Sequence, residues 1–450
     1  MNDRLKSKLC ILLISLGFVL AFSAFMIASQ ASQIVMEDAR KQSNGTFNGS
    51  GFISLSLIYS SFTLFNFFVP PVINLIGPCI GMFIGTIPYA LYVASFINPR
   101  EWSLYLSAIL VGAGAGLLWT GQIMYINEWS TKENLNTHFS IFYGIYEGSS
   151  VIGGLVYYFI LSNKKDIDQS TRYEIFIPFT ILIVISSFIF AFLPRKPKSS
   201  QADRNNEDAN SETSIVTATQ EEKQLTFSES FLMIFVLLKR SLTYNFVISG
   251  IYTGLFISFY SGVYQTSLGH MTQLSKYPKA VIGLTSICIG IGGLLASLFD
   301  IIAKRFGNIT VMLLTMILSV TGFFVMFLIV PGEASLIKTD NISYLTPSIP
   351  LVLFGAIILG IIDIIWNVQV SGLINKVYEK KEISSAFSLY KMIQSLSAAI
   401  AYVYGGYLQF NWQVMILTIL TFINYFLLST IEHKRLKNSS DKSEMEDKIL

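Results

Sequence analysis

The sequence predicts an all-α polytopic membrane protein of about twelve transmembrane helices, arranged as two pseudo-equivalent six-helix bundles. Three observations carry that expectation. Only 13% of the 450 residues are charged while 52% are hydrophobic, whereas soluble domains carry about twice that charged share. The apolar residues come in separate blocks, each close to the ~20 residues that cross a bilayer. Two sequence patterns also recur in the second half of the chain at a nearly constant offset.

The blocks are residues 9–29, 52–73, 80–97, 103–126, 138–161 and 174–193, then 242–264, 280–299, 309–330, 351–372, 386–408 and 412–431. The first exceeds the 7–15 apolar residues of a signal-peptide core, so it is read as a retained helix rather than a cleaved leader. Residues 195–225 are rich in Ser, Asn, Gln and charge and predict a disordered linker. Phe231–Leu238 is apolar but too short to span, which predicts an interfacial helix. The expected organisation is a first bundle over 1–194, a linker with its interfacial helix over 195–240, a second bundle over 241–431, and a disordered tail over 432–450.

Positive charge predicts the orientation. With the N-terminus in the cytosol, inner segments hold 21 Lys and Arg and outer loops hold 9. Both termini are therefore expected on the cytosolic side. Glycosylation acceptors agree: Asn44-Gly-Thr46, Asn48-Gly-Ser50 and Asn341-Ile-Ser343 fall in outer loops, while Asn308-Ile-Thr310 falls inside. A net charge of +3, with basic residues scattered, gives no footprint for nucleic acid. Cys10, Cys79 and Cys288 form no disulfide framework, and His138, His270 and His433 share no metal-ligand spacing. No nucleotide loop or nucleophile–base grouping appears, so neither a cofactor nor an enzymatic activity is expected.

The repeat pairs LLWTGQI at 117–123 with IIWNVQV at 364–370, offset by 247, and FSIFYGIYEGSS at 139–150 with FSLYKMIQSLSA at 387–398, offset by 248. Many secondary transporters are duplicated in this way and carry solute at the interface between repeats. Trp119, Gln122, Trp366 and Gln369 are pseudo-equivalent and are expected along that interface. Gly112, Gly114 and Gly116, with Gly290, Gly292 and Gly293, give small faces suited to close helix packing. Charges inside a span cost about 2.5–3.5 kcal/mol on insertion scales and need a partner or a purpose. Asp363, Lys391 and Glu147 are the candidates, with Asn367 as a polar relay one turn from Asp363. They are expected either on a solute or proton path or, for Asp363 and Lys391, as a structural pair holding two neighbouring helices together.

The segments GAGAGLLWTGQ (112–122), ILGIIDIIWNVQ (358–369), AFSLYKMIQS (386–395), IYTGLFISFYSGVY (251–264) and NGSGFISLSLIY (48–59) resemble the Unc-93-like branch of the major facilitator superfamily, most closely the subgroup of domain-containing protein eleven. The resemblance covers nearly all of the chain outside the linker and tail. It implies the major facilitator fold, and a charged inner-gate loop for which Asp300, Lys304 and Arg305 stand in the second half only; the matching loop NLIGPCIGM (74–82) lacks those charges. Relatives tend to carry a Glu where this chain has Phe256. Two functions are compatible with the family: alternating-access transport of a small solute or ion, and service as a regulatory or trafficking subunit of another membrane protein such as a potassium channel.

Overall fold

The computed structural model describes residues 3–44, 46–131, 134–195 and 227–447. Ten of its helices are long and apolar enough to cross a membrane. Span 1 is Asp3–Gln42, span 3 Pro78–Ser95, span 4 Glu101–Glu128, span 5 Leu135–Leu161 and span 6 Gln169–Ala191. In the second half span 7 is Ser241–His270, span 8 Pro278–Phe306, span 9 Asn308–Ile329, span 10 Ile349–Val377 and span 12 Phe410–Asp447.

The remaining two predicted spans are present but fail that test for physical reasons. Span 2 is broken into Gly51–Phe65 and Val69–Ile76 by three non-helical residues. Span 11, Lys380–Gly405, opens with Lys380, Lys381 and Glu382 and carries Lys391 inside it. The short helix expected before span 7 runs from Phe227 to Leu238 and lies against span 11. The predicted linker residues 198–222 lie outside the described residues. The tail after Ile431, expected to be disordered, is instead helical to Asp447 as a continuation of span 12.

Local chemistry sets the helix ends. Ser50 and Asp168 accept hydrogen bonds from the backbone N–H groups of Ile53 and Thr171, capping the starts of spans 2 and 6. Inside the spans, buried hydroxyls turn back to their own helix: Ser15, Ser23 and Thr86 donate to the carbonyls of Ile11, Val19 and Met82. An apolar surround offers them no water, so the preceding turn satisfies them.

Spans 1–6 pack on one another, as do spans 7–12, and the two groups meet where span 5 lies on span 8 and span 2 on span 11. At the first seam Gly154 and Gly283 touch backbone to backbone. A Cβ on Gly154 would lie 2.5 Å from the Gly283 carbonyl, and one on Gly283 would lie 2.6 Å from that of Gly154. The small faces seen in the sequence are packing faces as well: Gly112 meets span 2, Gly114 meets span 3 and Gly292 meets span 10.

The repeat is visible in the turns. Gly77 after span 2 has φ 82° and ψ 160°, and Gly307 after span 8 has φ 85° and ψ 163°. Both lie in a region L side chains avoid, and both end a short eight-residue helix. We call the end carrying both chain termini the terminal end and the other the distal end.

Candidate functional site

Span 7 is not a uniform α-helix. Phe259–Val263 forms a π turn between Ser241–Ser258 and Tyr264–His270. Such turns carry one extra residue and re-aim side chains. Here Tyr260 donates to Asp363 Oδ2 of span 10 at 3.2 Å, and Ser261 bonds the Tyr402 hydroxyl of span 11 at 2.6 Å.

Asp363 begins a polar chain along spans 10 and 11, and Asn367 is its hub. The Asn367 amide nitrogen donates to Asp363 Oδ1 at 3.3 Å and to the Asp363 carbonyl at 2.8 Å. Its oxygen accepts from Gln394 at 3.1 Å, Tyr390 at 3.3 Å and Lys391 at 3.5 Å. Lys391 also donates to Gln394 at 2.9 Å. Tyr390 reaches Thr253 of span 7 at 3.1 Å. The expected ion pair between Asp363 and Lys391 is therefore not formed. An amide stands between them, because Asn367, one turn beyond Asp363, occupies the space where the two charges would meet.

Asp363, Asn367, Lys391 and Glu147 each remain half-buried in the middle of their spans. Burying a lone charge completely would be prohibitive, and partial access leaves these groups free to meet a ligand or water. Glu147 comes from the other half of the molecule. Its carboxylate lies over Gly293 of span 8, with Oε2 only 2.6 Å from where a Cβ would sit, and it is close enough to Asp363 for their charges to interact. Glycine at position 293 is thus what admits the carboxylate to the seam.

The other expected site residues separate. Trp119 stands in an aromatic cluster, its ring 5.3 Å from Phe18, 5.3 Å from Phe22 and 5.4 Å from Tyr146. Trp366 is fully buried inside the second half, edge-on to Tyr252 and 3.5 Å from Ser319 Oγ, so it packs its bundle and does not line the seam. Gln122 is fully buried, and among the described residues neither of its amide atoms has a partner; its repeat counterpart Gln369 is buried in the other half. Asp300, Lys304 and Arg305 are exposed on the short helix Phe299–Phe306, and among the described residues none makes an ion pair. Asn44, Asn48 and Asn341 are exposed at the distal end, where the Asn341 amide donates to Glu333. Asn308 sits at the opposite end, bonded to Glu432.

Sequence reasoning missed the tyrosines and Gln394. Tyr59 of span 2 stacks on Tyr402 of span 11 across the seam, with centroids 5.5 Å apart. Tyrosine counts as apolar in a hydropathy reading, which hides its hydroxyl. Gln394 could have been found, since it follows Lys391 at a same-face spacing of three.

Twelve spans in two groups of six, joined along spans 2, 5, 8 and 11, make this a membrane protein of the major facilitator fold. A peptide transporter POT solved with sulfate superposes with a TM-score of 0.62 at 12% identity, covering 94% of this chain and 93% of that one. The nucleoside transporter NupG superposes with a TM-score of 0.61 at 13% identity, covering 96% and 99%. At that identity the likeness is one of fold alone.

Sequence relatives are narrower. A family profile described as "Ion channel regulatory protein UNC-93" matches residues 42–428. UNC93-like protein MFSD11 of Xenopus laevis is 32% identical over 95% of this chain and 97% of its own length. Protein unc-93 homolog A of Danio rerio is 24% identical over 94% and 92%. The chain belongs to the UNC-93 family.

Proposed function

We propose that the protein is a secondary transporter of a small polar solute, working by alternating access between its two halves. The observation that carries this reading is the polar chain Tyr260–Asp363–Asn367–Lys391–Gln394, half-buried up to Lys391 and buried at Gln394, facing Glu147 of the other half midway along the spans. Charges kept so deep in a membrane fold without a direct ion pair are costly unless they serve a pathway. Asp363, Lys391 and Glu147 are the solute- or ion-contacting groups in this reading, Asn367 and Gln394 the relay between them. Asp300, Lys304 and Arg305 act at the terminal end as an inner-gate loop that engages when that end closes. The test is solute uptake by the purified protein in liposomes, with solutes first screened by thermal stabilisation. Uptake that is the same in protein-free liposomes for every stabilising solute would overturn the reading.

One observation favours a second function, as a regulatory subunit of another membrane protein: the matching family profile is that of an ion channel regulatory protein. Co-purification of a stoichiometric membrane partner, with no uptake, would support it instead. In either case the termini are proposed to face the cytosol, with glycans at Asn44 or Asn341, both exposed at the distal end. Endoglycosidase shifts lost in Asn44→Gln and Asn341→Gln would agree, and a glycan on Asn308 would reverse the orientation.

A further inference from the structure

The distal end holds a second cluster of charge. Lys279, buried at the start of span 8, donates to Asp38 of span 1 and to Asp166 of the 162–168 loop, the latter at 2.9 Å. Asp38 also accepts from the Ile167 backbone N–H at 2.9 Å. Next to it, Glu37 of span 1 meets His270 at the end of span 7, with Oε2 2.6 Å from Nε2. The other ring nitrogen, Nδ1, lies 2.8 Å from the carbonyl oxygen of Ala334 in the loop before span 10. Span 1 belongs to one half of the molecule, while His270, Lys279 and Ala334 belong to the other. Both contacts therefore exist only while the distal end is closed.

The His270 contacts fix a proton count. A backbone carbonyl can only accept, so Nδ1 must carry a hydrogen. An ionised carboxylate can only accept, so Nε2 facing Glu37 must carry one too, or Glu37 must itself be protonated. A neutral imidazole beside an ionised Glu37 has one hydrogen for two acceptors, and two lone pairs would then confront each other in a buried site. The closed arrangement thus holds one proton more than neutral His270 plus ionised Glu37. When the halves part, Glu37 goes to water and His270 keeps only the Ala334 acceptor, which a single N–H satisfies.

We propose that Glu37 and His270 form a proton-binding site that fills as the distal end closes and empties to the distal side as it opens. Naming this proton as the coupling ion rests on the transporter reading above; the binding site itself does not. The surrounding charges do not remove the need for it. Span 1 contributes Glu37, Asp38 and Lys41, and span 8 contributes Lys279 with Lys276 just before it. The neighbouring loops contribute Asp166, Glu333, Lys338 and Asp340. Lys279 is engaged by two carboxylates and Lys41 lies 3.7 Å from Asp38, so neither supplies the missing hydrogen to Nε2. Glu333 is occupied by Thr339 and Asn341.

The experiment uses the full-length protein in nanodiscs without any solute. Spin labels are placed on Lys165→Cys and Tyr407→Cys, exposed distal positions in the two halves, and the three native cysteines are buried. Inter-label distances are recorded between pH 5 and 8. A state that binds one more proton is favoured as pH falls, so the closed-to-open ratio should drop on raising the pH, by at most about tenfold per pH unit. Glu37→Gln should abolish the pH dependence while keeping closure, because the amide can donate to a neutral Nε2 while Nδ1–H serves Ala334. His270→Gln should flatten the profile too, and if it does not fold, Glu37→Gln alone decides. A wild-type ratio independent of pH, or the wild-type slope persisting in Glu37→Gln, would overturn the proposal. A protein that closes with pH but moves no solute would keep the proton site and discard the transporter reading.

Discussion

A shift of 247 residues carries Asp363 onto Gly116 and Asn367 onto Thr120; a shift of 248 carries Lys391 onto Tyr143 and Gln394 onto Tyr146. The second half thus presents charge and amide at positions where the first presents small and aromatic side chains. Glu147 goes the other way, with Ser395 as its counterpart, and Ser395 bonds its own helix at the Lys391 carbonyl. Packing features are shared: the positive-φ glycines at 77 and 307, the breaks in spans 2 and 8, and a tryptophan on spans 4 and 10. Duplication has preserved how helices contact one another and let the facing surfaces diverge into an aromatic wall and a polar one. Steric constraints act on every span at once, whereas a side chain pointing into the seam is constrained only by what passes or binds there.

The largest expected effect tests the polar wall. Asp363→Asn keeps hydrogen-bonding capacity toward Tyr260 and Asn367, so the protein should express and fold, yet uptake should fall to background. Wild-type uptake by this variant would show that the charge lies off the path, and the contrast between the walls would be structural only. Next comes the hub. Asn367→Ala removes the acceptor shared by Tyr390, Lys391 and Gln394, at a cost of about 1–3 kcal/mol, seen as a lower midpoint of thermal unfolding. Because the amide separates the charges, a cycle of Asp363→Asn and Lys391→Gln should show a coupling below about 1 kcal/mol rather than the 3–5 of a broken buried pair. Strong coupling would mean that the two charges meet directly.

The tryptophans sharpen the comparison at the level of packing. Trp366→Phe, in a closed interior, should cost about 2 kcal/mol, and Trp119→Phe, in a half-open aromatic cluster, about 1. Equal losses would mean that both walls are packed alike. The smallest effect belongs to the distal loop. The hydrogen bond from Lys279 holds the Asp166 carboxyl below the usual carboxylate range. A lowered value means the contribution is present at neutral pH and is lost as pH falls through that lowered value. Asp166 is largely exposed, so solvent screening keeps the effect under about 1 kcal/mol. Asp166→Asn should therefore lower thermal stability slightly at pH 7 and by less as the pH falls below the usual carboxylate range, the opposite sign to the closure driven by Glu37 and His270.

The twelve spans were legible because a bilayer imposes one length on every crossing, and hydropathy reads length well. Span 11 was legible as the apolar block 386–408, since its charges Lys380, Lys381 and Glu382 fall before that block and Lys391 stands alone inside it. The tail was misread: composition after Ile431 is polar, but Glu432 binds Arg435 and Asn308, anchoring the helix past the apolar block. Asp363, Asn367 and Lys391 could be chosen from sequence because charge in an apolar block is conspicuous, yet which of them touch depends on rotamers that no spacing rule supplies. Glu37 and His270 escaped notice for a different reason. Both lie near span ends, where a charged residue reads as part of a solvated loop, and span 1 proved to continue to Gln42.

The π turn at Phe259–Val263 makes span 7 a shaft with a phase offset built into it. Each residue turns an α-helix by about 100°, so the extra residue taken up in the π turn leaves the segment Tyr264–His270 about that far behind where an unbroken helix would place it. Tyr260, inside the offset, is tied to Asp363; His270, at the far end of the shaft, is tied to Glu37. Drawing the turn back into α register at full length would rotate the last two turns and swing the imidazole off its carboxylate, whereas deleting one residue from 259–263 would take out the extra residue and leave those turns in their present phase. The centre of the molecule and its distal rim are therefore geared to each other through a single residue's worth of twist.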